Sequence, residues 1–404
     1  MDSKQIIVIG GGAAGFFAAI NLAEMHHGSE ITILEKTNKL LSKVKVSGGG
    51  RCNVTHQCLD TSELIKNYPR GSKELKQVFA RFSVKDTIEW FEKRGVKLKT
   101  ERDGRMFPVS NSSETIIDCF MREIKKYNIK INLQEEVLSL QKTSQNKFNL
   151  KTTKQSYLAH AVICSIGGHN QIKNYNFIKE AGHAIEEPIP SLFTINIPNN
   201  NIKELMGLSV NSATVKVIGK KHQYTGAVLI THWGLSGPAV LKLSAFAAKD
   251  FFETDYNCDI SVNWSGKLND EEVKNALSEN LNLKSFVINS PLFNFPKRLW
   301  DYFLAKAEIP SQKPWNELSK KQINKLSQIL TCDIYKMKGK TTFKEEFVSC
   351  GGVNLKEIDF KTMQSKIIPN LYFCGEVIDI DGVTGGFNFQ SAWSTAWIAS
   401  QLLV

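Results

Sequence analysis

Three glycines, Gly10, Gly12 and Gly15, stand directly behind the apolar run from Ile6 to Ile9 and open a stretch with helical spacing. A short continuous apolar run reads as a parallel strand buried on both faces. From Ala13 to Met25, Phe16, Ala19, Ile20 and Ala23 share one helical face, and the pattern ends near Gly28. Residues 30–35 read as a second strand, so the chain begins as a βαβ unit. In such a unit the first glycine permits the tight turn into the helix. The second lets a pyrophosphate approach the backbone, and the third lets helix pack against strand. Free N–H groups at the helix start, where Ala13 and Ala14 lie, hold the phosphates. Glu35 falls 20 residues after Gly15, placed to accept both ribose hydroxyls and to repel a 2′-phosphate.

A second glycine signature lies at the other end. Cys374, Gly375 and Glu376 lead through Asp379 to Gly385, Gly386, Phe387, Asn388, Phe389 and Gln390. Gly385 and Gly386 read as a turn opening a C-terminal helix, whose positive end would favour negative charge on a ligand ring. Between the two signatures, Ser47, Gly48, Gly49, Gly50, Arg51, Cys52 and Asn53 form a dense third segment. Consecutive glycines let the backbone pass flat against a ligand. Arg51 can pair with phosphate and Asn53 with a polar ring edge. Glycine turns at both ends that fold onto one ligand imply a long, bipartite cofactor, and FAD fits that description best.

With 404 residues, 42% of them hydrophobic, the chain can bury the cores of two or three domains. The formal charge of +11 raises nucleic acid or an anionic cofactor as partners. The lysines are nonetheless scattered among acids, which reads as a solvated surface with no specific nucleic-acid partner. No cysteine pair has C-x-x-C or zinc spacing, so no metal site is expected and a reducing cytoplasm is the simplest compartment. No signal peptide is evident. The apolar stretch 226–248 carries His232, Lys242 and a Gly237–Pro238 pair, so it reads as strand and turn, not a membrane span.

Helical patterns are expected at 74–94 and 114–127, and a buried strand at 158–166. From Leu192 the texture changes: 213–218 and 259–264 alternate as antiparallel strands do. Residues 269–330 read as helices, with Asn269 and Ser319 as caps and Pro296 in a first turn. The expected plan is a nucleotide-binding domain (1–190 and 349–404) interrupted by a strand-rich substrate domain (191–265 and 333–348), which itself carries a helical insert (266–332).

Two residues are candidates for chemistry. Cys52, with Cys58 six positions on, invites comparison with the redox disulfide of flavoprotein disulfide reductases. Those enzymes space the pair by five and carry a second dinucleotide fingerprint, which this chain lacks. His232, in Thr231-His232-Trp233-Gly234-Leu235-Ser236-Gly237-Pro238, is a candidate proton donor.

Taken together, these stretches resemble the BaiN/YhiN-like family of FAD-dependent oxidoreductases, with aminoacetone oxidase-type and 3-dehydro-bile-acid reductase-type members. Further matching segments are 104–108 and 351–353. The resemblance implies an α/β fold: a Rossmann-like FAD-binding domain of the two-dinucleotide-binding type, an inserted β-barrel and a small helical domain. It implies that 47–53 and 375–390 line FAD, and that Val137 offers its backbone to the adenine. Lys36, Lys43, Ile166, Gly167 and Gly168 complete the expected cofactor-binding set. Cys164 and Ser165 depart from the family's Ala-Thr before that last glycine pair. The function expected is a soluble FAD oxidoreductase that takes hydride transiently from NAD(P)H and acts on a small organic substrate or oxygen. The alternatives are an FAD-dependent tRNA-modifying enzyme and a non-catalytic flavin sensor.

Overall fold

The computed structural model describes residues 4–341 and 348–401. The chain divides into two compact units, Met1–Pro190 with Lys344–Val404, and Ser191–Phe343. The expected barrel segment 333–348 lies partly outside the described residues.

The first unit is built on a seven-stranded sheet. Gln5–Ile9 lies at its centre, flanked by Glu30–Leu34 and then Lys130–Asn132 on one side. On the other side come Ala161–Cys164, Leu371–Phe373 and the short Gln364–Ser365 and Ile358–Asp359. The five strands from Leu371–Phe373 to Lys130–Asn132 run parallel, and the two short ones antiparallel. The central strands are runs of Ile, Val and Leu with both faces covered, and they are almost wholly buried.

Two helices carry the glycine turns. Ala13–Met25 follows the central strand, and Phe387–Ala399 begins at Gly386. Each is buried nearly all round, and the polar side chains of the second, such as Gln390 and Ser394, are satisfied by internal hydrogen bonds. Small residues at Gly15, Ala18 and Ala19 let the backbone approach its neighbours. Trp393 closes the space, donating from Nε1 to the Val54 carbonyl at 2.9 Å.

Local differences from the sequence reading have simple causes. The expected helix at 74–94 is two, Ser72–Phe79 and Val84–Glu92, because Ser83 and Asp86 form a capping box that starts the second. The strand at 158–166 breaks at His160 into Ser156–Ala159 and Ala161–Cys164, each in a different sheet.

The second unit holds a seven-stranded antiparallel sheet: Asp333–Lys338, Asn257–Asn263, Ser209–Val217, Gln223–Ile230, Gly234–Ser236, Thr194–Asn196 and Lys340–Thr341. Its two edge strands are consecutive in sequence, separated only by Gly339, so the sheet curls toward closure. Three helices follow their caps: Asp270–Ser278 behind Asn269, Lys297–Lys306 and Lys320–Thr331 behind Ser319. Pro296 is the N-cap of the middle one, one place earlier than expected. Leu277, Trp300, Phe303 and Leu326 on these helices share one buried cluster with Val215, Val228 and Ile260 of the sheet. The helical stretch 266–332 therefore has no core of its own. A buried carboxylate joins them: Asp333 accepts from Trp264 Nε1 (3.1 Å), Lys306 Nζ (2.5 Å) and the Tyr335 hydroxyl.

Candidate functional site

Four parallel strands end side by side, and each releases one of the singled-out segments. The central strand leads into Gly10–Gly15, Glu30–Leu34 into Glu35, Ala161–Cys164 into Ile166–Gly168, and Leu371–Phe373 into Gly375 and Glu376. Chain order reverses about the central strand, since its sequence successor pairs on one side and Ala161–Cys164 on the other. In open parallel sheets this reversal splays the connections apart and leaves a crevice where dinucleotides bind.

The glycines behave as their spacing predicts. A Cβ on Gly10, whose φ is +109°, would meet the Ser165 carbonyl at 2.5 Å, and one on Gly15 would meet the Gly10 oxygen at 2.0 Å. A Cβ on Gly12 would meet nothing within 4 Å. The backbone is thus crowded on both sides of one open position, at the start of a helix with no side-chain cap. Residues at the helix start fit a pyrophosphate there.

A cavity of about 290 Å³ opens beside this turn. It gathers five expected residues, Gly10, Glu35, Lys36, Val137 and Ile166. Glu35 is pre-oriented: one carboxylate oxygen accepts from the Gly11 N–H and the other from Thr37 N–H and hydroxyl, each at 2.8 Å. The cavity also recruits His169, Lys173 and Asn174, which the sequence did not single out. Burial, reinforced by the charges of Lys36 and Lys43, holds the His169 imidazole down at about 4. That ring is a neutral wall at physiological pH.

The head and tail of the chain meet at several points. Lys43 Nζ lies 2.5 Å from Glu376 Oε2, which also faces the Gly168 N–H at 3.5 Å. A Cβ on Gly386 would strike the Thr55 backbone at 2.6 Å. Gly49, Gly50 and Gly167 face open space with positive φ, while Gly48 abuts the Phe107 ring. Ser47 turns inward, its hydroxyl donating to the Val44 carbonyl at 3.1 Å.

Several expected ligand contacts are committed elsewhere. Arg51 pairs with Glu101 (2.6 Å), which Arg105 also joins (3.2 Å), and lies 4.0 Å over the Phe107 ring. Asn53, with its amide oriented to satisfy every neighbour, accepts from Gly386 N–H (2.9 Å) and donates to the Thr55 and Met106 carbonyls. It fastens the C-terminal helix instead of presenting itself to a ring edge. Asn388 closes the turn it follows, bonded to both N–H and carbonyl of Gly382. Gln390 is fully buried and spends its amide on Thr55, Thr87 and Ser394. Asp379 accepts from the Gly351 N–H at 2.8 Å, and Gly385 and Phe387 pack against His56.

Cys52 is corrected as a catalytic candidate. It is wholly buried, burial pushes its thiol up to about 12, and none of the eight cysteines is in a disulfide. His232 lies in the second unit, exposed at a turn with its ring 4.6 Å from that of Trp233. One arrangement mimics a nucleophilic triad: His183 bonds Glu357 (2.9 Å) and Ser365 (2.9 Å). Ser365 is 3% exposed and its oxygen accepts from the Ile367 and Ile368 N–H groups, so it is a buried turn fastener. Among the described residues no cluster of three His, Cys, Asp or Glu could hold a metal ion, and no helix is long and apolar enough to cross a membrane.

Sequence comparison matches the family described as HI0933-like protein Rossmann domain over residues 4–402. The chain is 26% identical to a 3-dehydro-bile acid delta(4,6)-reductase of Clostridium scindens, over 98% of each. It is 29% identical to a ribosomal RNA dihydrouridine synthase of Escherichia coli, over 100% of this chain and 99% of the relative. Among solved structures, a 3-ketosteroid delta1-dehydrogenase from Sterolibacterium denitrificans superposes with a TM-score of 0.52 at 10% identity, covering 99% of both chains. That likeness is one of fold: a Rossmann-like unit joined to a second unit.

Proposed function

Since this chain belongs to the HI0933-like Rossmann family, we propose that it is an FAD-dependent oxidoreductase that saturates a carbon–carbon double bond conjugated to a carbonyl. The observation that carries the FAD reading is the open backbone at Gly12, at the reversal of strand order, with Glu35 poised beside it. Gly12, Ala13 and Ala14 would hold the pyrophosphate and Glu35 the adenosine ribose. The backbone of Val137 would face the adenine, and Lys43, Gly49, Gly50, Gly375 and Glu376 would line the flavin end. When bound, FAD supplies the hydride chemistry, replenished by NADH or NADPH. The protein's own part is to orient both partners and keep the crevice dry.

The bond type is supported by the two relatives. A 3-keto steroid with delta(4,6) bonds and the uracil ring of uridine share one feature, an alkene polarised by a carbonyl. Such an alkene takes hydride at its far carbon and a proton at the near one. The uridine version is favoured by the identities, 29% to the ribosomal RNA enzyme against 26% to the bile-acid reductase; the scattered lysines add only a general attraction to a polyanion. Both versions place the protein in the cytoplasm, where reduced nicotinamides are abundant.

The test is anaerobic titration of the purified yellow protein with NADH and NADPH, then addition of unmodified ribosomal RNA or a 4,6-dien-3-one steroid. Bleaching of the flavin band followed by its return with one substrate supports the proposal. Protein without flavin absorbance, or a reduced flavin that neither substrate reoxidises, overturns it.

A further inference from the structure

We infer that His232 and Trp233 form a stacking platform for an unpaired nucleobase of an RNA substrate, an inference that rests on the uridine version of the proposed function. Strands Gln223–Ile230 and Gly234–Ser236 pair antiparallel, with Ile230 opposite Leu235. Thr231 and Gly234 exchange both backbone hydrogen bonds, at 2.8 and 3.2 Å. His232 and Trp233 are thus the two residues of a minimal hairpin loop.

Such loops ordinarily take mirror-image turns with positive φ, filled by Asn-Gly or Gly-X. Here both positions are large aromatic residues and neither has a positive φ. The positive φ falls instead on Gly234 (+153°), which leaves both preceding positions free to carry large side chains without strain. The tip is also held firmly. The Thr231 hydroxyl accepts from the N–H groups of Trp233 (3.3 Å) and Gly234 (3.2 Å), and the Trp233 carbonyl accepts from Ile197 (2.8 Å).

What this rigid tip presents does not serve the core. Trp264, Trp300 and Trp315 of the same unit are fully buried, whereas Trp233 is 46% exposed, with its ring inclined 44° to that of His232. Exposed π-faces on a fixed backbone are what unpaired bases stack on, with sequence tolerance, in single-stranded RNA recognition. A cation lies along the bonded segment: Lys203 donates to the carbonyl of Pro198, the residue after Ile197. Lysines and arginines outnumber acids across this unit, so its net charge does not oppose a phosphate backbone. The fused rings of a steroid would need an enclosing apolar wall, which a two-residue hairpin loop does not provide.

The test is fluorescence anisotropy of flavin-loaded protein with a single-stranded oligouridine and with an abasic oligomer of the same phosphate count, at one salt concentration. Trp233→Ala should weaken oligouridine binding roughly tenfold or more and leave the weaker abasic binding unmoved. Trp233→Phe, which keeps a π-face, should restore most of the loss. Flavin content and thermal unfolding serve as folding controls. Equal oligouridine affinity for wild type and Trp233→Ala overturns the platform while sparing the uridine reading. Absence of RNA binding by the wild type, with steroid dienone still reduced, overturns both.

Discussion

A Cβ placed on Gly375 would lie 2.7 Å from the Cβ of Ala14, so the tail of the chain touches the start of the first helix across a gap only hydrogen can fill. Gly375 also has a φ of +75°. Gly375→Ala therefore combines a clash with left-handed strain worth roughly 1–3 kcal/mol, and it should lower both the unfolding midpoint and the flavin content. Gly12→Ala separates the two effects. Its φ of −92° suits alanine and its Cβ would point into open space. The flavin-free variant should unfold within about 1 kcal/mol of wild type, yet bind FAD at least tenfold more weakly. Absorbance at the flavin band against total protein reads the second quantity, and unchanged FAD affinity would remove the pyrophosphate from this turn.

Arg70 and Asp381 form the second tie between distant segments. Both guanidinium nitrogens facing the carboxylate are bonded to it, and the Asp381 side chain is fully buried. The pair precedes the Gly385–Gly386 turn and fixes the approach to the C-terminal helix. Breaking a buried ion pair leaves an uncompensated charge, at a cost of about 3–5 kcal/mol. Arg70→Met should destabilise by that order in urea unfolding. Pairing it with Asp381→Leu should recover part of the loss, because the stranded carboxylate is then gone. A double variant as unstable as the two singles summed would show that the pair does not act as a unit.

The backbone plan was legible because it is written in periodicity and glycine spacing. The run from Ile6 to Ile9, the helix Ala13–Met25 and the caps at Asn269 and Ser319 each follow from local physics. Arg51, Asn53 and Gln390 were less legible. They sit inside the glycine-rich segments, but their side chains are taken by Glu101, Gly386 and Thr55, far away in sequence. Motif position says which backbone approaches a ligand, not which side chains remain available to it. Lys173 and Asn174 were missed for the opposite reason. They belong to no motif and reach the site only through the fold.

Cys52 offers a test through its reactivity. Burial keeps it a neutral thiol with a pKa near 12. Native protein at pH 8 should therefore leave Cys52 unmodified by iodoacetamide while the exposed Cys332 is alkylated, as peptide mass mapping would show. The unfolded thiol ionises near 9, so the unfolded chain binds fewer protons than the folded one between pH 9 and 12. Stability should fall across that window, by up to about 1.4 kcal/mol per pH unit for this group. Cys52→Ala should flatten the slope. Rapid alkylation of native Cys52 would reinstate it as a reactive residue.

His169 sets a limit at the acid side. Its folded pKa is about 4 against an ordinary 6.5, chiefly because the ring is buried beside the cavity, with Lys36 and Lys43 adding repulsion. Between those values the unfolded chain binds a proton that the folded chain refuses. The contribution is therefore complete above pH 6.5 and is lost as pH falls toward 4. Allowing for the ring's residual exposure, the loss is on the order of 2 kcal/mol. Urea unfolding of flavin-free wild type and His169→Asn at pH 7 and at pH 4.5 isolates it, since every other titrating group is common to both. The wild type should lose roughly 2 kcal/mol more than the variant on acidification. Parallel losses in the two proteins would mean that His169 is protonated in the fold, and that the cavity wall carries a positive charge where a neutral ring is drawn.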